Sequence, residues 1–224
     1  DVCAHYSLKY NKVARKGMTE HAQRLATFLQ TTKAREVLII SGSGKTKAPW
    51  NTVQALQDAT IVKFPWSSPN HNSTVKLAVA YNPYFPDPAD QALEDQRLQQ
   101  KLQTNRVDKV YLQFGTDLIR LKNALILLQE KSQNKDQPQQ QSVNLAGSLF
   151  LPTGQLIAQQ KFRPWNGVFL SPEFLSGPQA ARSIVLEMMK LYQQYNVEML
   201  WEAPGIRTEK DLQVMQELLE ELHA

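Results

Sequence analysis

Several groups of residues carry chemistry that a core alone does not require. Ser41-Gly42-Ser43-Gly44-Lys45-Thr46 sets glycine-rich backbone and a lysine directly after an apolar run. Backbone N–H groups and an ammonium arranged this way can cradle phosphate. The full phosphate-loop signature needs four residues between its glycines, which this stretch lacks, and a tight turn in which glycine supplies positive φ also accounts for it. Tyr81, Glu94 and Lys101 form a second group. Glu94 and Lys101 are seven residues apart in a helical pattern, so they share one helix face. On spacing alone their role is a solvated ion pair beside a core-edge tyrosine. Gln113 stands next to Phe114 in an apolar run. A polar side chain there needs a partner, either a ligand or the main chain.

Two carboxylates, Glu173 and Glu202, close apolar runs. Each is a candidate general acid or base if burial raises its pKa. A helix-start carboxylate or a surface charge is the simpler role for both. His21 falls inside a helical pattern, His71 in a polar loop and His223 at the end of the chain. No histidine pair has metal-ligand spacing and Cys3 is the single cysteine, so no metal site is expected. A G-x-S-x-G nucleophile turn is absent as well. Trp165 precedes an apolar run and Trp201 ends one, so either can wall a flat ligand or simply fill a core edge.

These groups need a frame, and the composition supplies one. The chain has 224 residues, of which 42% are hydrophobic and 21% charged, enough for a folded core. One domain over residues 1–224 is expected, with no linker and no internal repeat. No apolar run is long enough to span a membrane. The net charge of +4 is scattered, without a basic block, which argues against nucleic acid and leaves a small-molecule ligand as the expected partner. A homo-oligomer is compatible with the same features. One cysteine and no leader-like start point to a reduced, cytoplasmic compartment.

Short apolar runs at 2–7, 37–40, 75–80, 107–114, 143–150, 167–170 and 197–201 have strand length and end in turn residues. Amphipathic patterns at 19–31, 90–104, 116–133, 178–195 and 208–222 separate them. Thr208 followed three residues later by Asp211 is a loose capping box. Polar residues 131–142 and the proline-containing stretch 61–74 read as long connections. Seven strand–helix units in series fit a TIM-type (β/α)8 barrel whose first strand is absent from this sequence or unclear in it.

At these positions the chain resembles the methylenetetrahydrofolate reductases, flavin-dependent (β/α)8 barrels. Ala80-Tyr81-Asn82-Pro83, with Glu94 and Lys101 at matching offsets, is similar to the family's A-Y-P strand end. Tyr111-Leu112-Gln113-Phe114 is similar to its I-T-Q-F strand end, and 146–152 to its P-G-I-x-P stretch. Residues 181–203 are similar to its last helix and strand. The resemblance implies FAD at the C-terminal ends of the strands. It implies contacts from His5, from Gly42 and Ser43 in the turn, and from Tyr81, Glu94 and Lys101, with Gln113 on the pterin of a folate. The family's L-R-G-D turn reads Ile40-Ser41-Gly42-Ser43 here, so serine replaces its aspartate, and Phe85 replaces a later histidine. The family's catalytic glutamate has no counterpart. Two functions follow: a flavin-dependent oxidoreductase acting on a C1-folate or a similar flat substrate, or a binding or regulatory protein on the same frame without hydride-transfer residues.

Overall fold

A computed structural model describes residues 3–9, 18–32, 34–41, 51–57, 75–133, 143–202 and 208–223. The elements in chain order are β1 (Cys3–Ser7), α1 (Met18–Thr32), β2 (Glu36–Ile40), α2 (Thr52–Gln57), β3 (Lys76–Tyr81), α3 (Pro88–Leu102), β4 (Lys109–Leu112), α4 (Leu118–Gln133), β5 (Asn144–Phe150), α5 (Gly154–Phe162), α6 (Pro172–Ser176), α7 (Pro178–Gln194), β6 (Glu198–Glu202) and α8 (Glu209–His223). The fold is α/β. One six-stranded sheet runs β1-β2-β3-β4-β5-β6. A doubly wound sheet reverses its strand order at a switch point. This sheet never does, and its order is that of a singly wound, barrel-type series. Residues 167–170 do not form a seventh strand; they contribute an isolated parallel bridge, Phe169 to Gly115.

The chain divides into two compact units. The first comprises Asp1–Ala80, Asp95–Val110 and Gln139–Val143; the second comprises Tyr81–Glu94, Tyr111–Pro138 and Asn144–Ala224. In the first unit β1 pairs with β2, and β2 with β3, both parallel and in register, Ala4 facing Val37 and Val37 facing Leu77. Val37, Leu38 and Ile39 are all buried, as expected of a parallel strand with neighbours on both sides. β1, at the edge, alternates: Ala4 and Tyr6 are buried while His5 is exposed. Asp108 pins the start of β4 to β3 twice. Its N–H donates to the Leu77 carbonyl at 2.8 Å, and its carboxylate accepts the Leu77 N–H at 2.7 Å. Lys109 and Glu36, both largely buried, lie 3.7 Å apart as an ion pair.

The regular strand β4 ends at Leu112, short of the 107–114 run read from the sequence. Beyond it the Gln113 N–H donates to the Tyr81 carbonyl.

The second unit is built on β5, β6 and the helices against them. β5 pairs with β6 in parallel register, Ala146 facing Glu198 and Phe150 facing Glu202. α7 buries Ala181, Ile184, Val185, Met188, Met189 and Tyr192 along one face. Two tyrosines seat on glycines. A Cβ on Gly147 would lie 2.6 Å from the Tyr192 ring Cε atoms, and one on Gly115 would lie 2.7 Å from Tyr84 Cδ1. Only hydrogen on those α-carbons leaves room for the rings. α8 begins at the capping box: Thr208 and Asp211 exchange side-chain to main-chain bonds. It docks on α7 through buried Leu218 and through Arg182, which bonds Glu217 and Glu221.

Candidate functional site

In the second unit the carboxyl ends of β3, β4, β5 and β6 bring several side chains to one end of the strands. β3 leads into Asn82, Pro83 and Tyr84. β4 leads into Gln113, Phe114, Gly115 and Thr116. Tyr81 and Gln113 are neighbours, because the Gln113 N–H donates to the Tyr81 carbonyl at 2.8 Å. Glu202, the last residue of β6, sits opposite Phe150.

Between these ends lies a row of rings. Phe114 and Phe150 stack with centroids 4.1 Å apart. Phe174 of α6 meets Phe114 edge-on at 5.9 Å, and Trp165 meets Phe150 edge-on at 5.6 Å. Phe174, Phe114 and Phe150 are buried; Trp165, at the end of the row, is half-exposed. Such pairs add directional preference to a large apolar contact.

Residues 163–171 form a strap held at this end. Asn82 Nδ2 donates to the Gly167 carbonyl at 2.9 Å. The Thr116 N–H donates to the Phe169 carbonyl at 3.2 Å, and the Thr116 hydroxyl accepts the Ser171 N–H at 2.6 Å. Gln160 of α5 accepts the Trp165 N–H through Oε1 at 3.2 Å. Gly167 has φ +81°, a left-handed turn that glycine adopts without strain. Phe85 and Phe169 meet at 5.4 Å beside it. Ser171 then caps α6, taking the Phe174 N–H at 3.1 Å.

The sequence candidates separate into engaged and unengaged groups. Lys101 is 8% exposed, and its Nζ donates to the Ala80 carbonyl at 2.7 Å. Tyr81 is buried, with its hydroxyl 3.4 Å from Gln91 Nε2. Glu94 is half-buried on α3, and His5 is exposed on β1. Glu173 is exposed in the first turn of α6, where a carboxylate complements the helix dipole. Gly42 and Ser43 lie outside the described residues, as does His71. Ser41, from the same glycine-rich stretch, accepts the Thr52 N–H at 3.1 Å and so caps α2. Gln113 and Glu202 are half-buried. Among the described residues neither side chain makes a hydrogen bond or an ion pair.

In this unit the Glu187 hydrogen bond raises the pKa of the exposed Lys190, and burial perturbs two phenols. Burial pushes the Tyr84 hydroxyl well above its ordinary range, and the neighbouring Tyr192 and the Asp117 charge act in the same direction. Burial also raises Tyr192. Tyr192 donates to the Ser148 carbonyl at 3.4 Å, while the Tyr84 hydroxyl lies beside Tyr192 without reaching hydrogen-bond geometry. These two groups belong to the packing between strands and helices, not to acid–base chemistry at an open site.

Asn82, Thr116 and Gln160 were not singled out by the sequence, although they hold the strap. Their partners lie 85, 55 and 5 residues away, and only the folded chain brings the distant ones together. Among the described residues no three histidine, cysteine, aspartate or glutamate side chains gather as a metal site, and no helix is long and apolar enough to cross a membrane.

No family model and no curated protein matches the chain. Among solved structures it is similar to the crystal structure of an uncharacterized protein, with 13% identity and a TM-score of 0.40. That alignment covers 94% of this chain and 44% of the other, so this chain spans less than half of that protein's length.

Proposed function

We propose that the protein binds a flat nitrogen heterocycle at the carboxyl ends of the second unit's strands, on a (β/α)8-type frame similar to that of the methylenetetrahydrofolate reductases, and that it performs no hydride transfer. The observation that carries this reading is the pair Gln113 and Glu202. Both are half-buried and unpartnered among the described residues, at the end of the strands where such frames bind ligands. An amide offers one donor group and one acceptor, and a carboxylate offers acceptors. Each offers a group that an N–H or C=O of an isoalloxazine or pterin ring can meet. Trp165 and Phe85 supply half-exposed aromatic surface at the same end.

FAD in the arrangement implied by the resemblance fits the chain less well. Lys101 and Tyr81 point into the protein and already hold main-chain and side-chain partners, so a cofactor phosphate would have to displace those bonds. With Ser43 in place of the family's aspartate, the charge beside the reacting ring is missing as well. Binding without turnover is the reading consistent with both features.

The test is a titration of the purified protein with riboflavin and, separately, with folic acid, followed by flavin absorbance and by calorimetry. Gln113→Leu should weaken binding of the ring that binds by about 1–3 kcal/mol, the cost of a buried polar contact left unmade, with an unchanged melting temperature. Absence of binding by either ring, or an unchanged affinity in Gln113→Leu, refutes the site.

A further inference from the structure

We infer that the indole of Trp165 occupies a subsite for a planar ring, and that the side-chain amide of Gln160 is the donor such a ring would meet there. The inference rests on the ligand site proposed above and names a second polar contact for it.

Two independent observations support it. The first is an unmet donor. Gln160 is 3% exposed, and its Oε1 is used by the Trp165 main chain. Its Nε2 is buried and has no hydrogen-bond partner. A buried N–H₂ without an acceptor is costly, so native proteins seldom retain one without a water or a ligand to meet it. The amide is also assigned the right way round, since turning it over would set N–H₂ against the Trp165 N–H.

The second observation is the state of the ring beside it. The row Phe174, Phe114, Phe150 is closed, and Trp165 is its only half-exposed member. The indole touches the row at one edge, 5.6 Å from Phe150 with the rings 80° apart. It is carried by the strap, between Pro164 and the positive-φ Gly167. The strap is bonded along its length: the Arg163 N–H donates to the Gln159 carbonyl, the Trp165 N–H to Gln160 and the Val168 N–H to the Trp165 carbonyl, while Gly167, Phe169 and Ser171 bond Asn82 and Thr116. None of these bonds involves the indole. A ring replacing it would find an apolar face in Phe150 and a donor in Gln160. The ligand class is thus a fused planar ring with an acceptor atom at its edge, a ring nitrogen or carbonyl.

The experiment uses two probes of similar shape, quinoline, which has an edge acceptor, and naphthalene, which has none. In Trp165→Ala, quinoline should bind more tightly than naphthalene by about fivefold, the worth of one neutral hydrogen bond. In Trp165→Ala/Gln160→Leu that preference should vanish. Should Trp165→Ala fail to fold, Trp165→Leu enters the same titrations with the same expectation. Equal affinity for the two probes, a preference that survives Gln160→Leu, or no binding of either probe overturns the inference. Adding Gln113→Leu to Trp165→Ala should leave the preference intact. The subsite and the ring site at Gln113 can therefore fail separately.

Discussion

Lys101→Met separates a ligand role from a structural one. The lysine sits in the last turn of α3, and its ammonium donates to the carbonyl of Ala80, the penultimate residue of β3, at 2.7 Å. With the residue 8% exposed, that bond is shielded from water. Hydrogen bonds involving a charged group contribute about 1.5–3 kcal/mol, and methionine keeps most of the apolar stem while removing the donor. For a chain of this size about 1 kcal/mol moves the melting temperature by about 2–4 °C, so the variant should melt about 3–12 °C below the parent. Far-UV circular dichroism melts measure this, and a riboflavin titration of the same samples measures binding below the transition. A melting temperature unchanged to within about 1 °C, together with a loss of ring affinity, would show that Lys101 serves a ligand and that its bond to Ala80 contributes nothing.

Gly147→Ala should cost about 1–3 kcal/mol, because the new methyl overlaps the buried Tyr192 ring and neither can move into free space; a melt indistinguishable from the parent would refute that seating. The buried phenols set an alkaline limit. Tyr6 is pushed up to about 12, first by burial, and Tyr84 and Tyr192 are raised by burial as well. In the unfolded chain they ionise near pH 10, so above that pH the unfolded state holds fewer protons than the folded one and stability falls as pH rises. Phenolate absorbance should accordingly show Tyr6, Tyr84 and Tyr192 titrating late and together with unfolding, against Phe variants of each; loss of none of the late absorbance in those variants would contradict their burial.

The strand positions were legible because parallel strands with cover on both sides are continuous apolar runs. Val37-Leu38-Ile39 and Leu77-Ala78-Val79 are of this kind. The capping box at Thr208 and Asp211 was legible for a similar reason, since both partners lie within one turn. Other features depended on distant residues. The regular part of β4 stops at Leu112, which nothing within 107–114 reveals. Residues 167–170 look like a strand, yet they hold only one bridge because Asn82 and Thr116 fix them as a strap. α5 has a faint sequence pattern because its buried face is only Leu156, Ile157 and Gln160. Its start was written locally all the same, in Thr153 capping the Leu156 N–H.

The site follows the same division. Spacing on a helix draws attention to Glu94 and Lys101, because a shared face is computable from sequence. What decides whether such a side chain can bind a ligand is whether the fold has already used it, and Lys101 is used by the carbonyl of Ala80. Gln113 and Glu202 have no such partner among the described residues, although nothing in their local sequence distinguishes them from the engaged group. Gln160 is the extreme case. It reads as one glutamine among several on a short helix. Only when the strap takes its oxygen and burial isolates its nitrogen does it become a donor in want of an acceptor. A polar group's availability is thus set by the main-chain groups that fall beside it, and those come from strand ends far apart in the chain. The proposed binding at this end of the second unit therefore rests on the assembled strands and strap rather than on any motif.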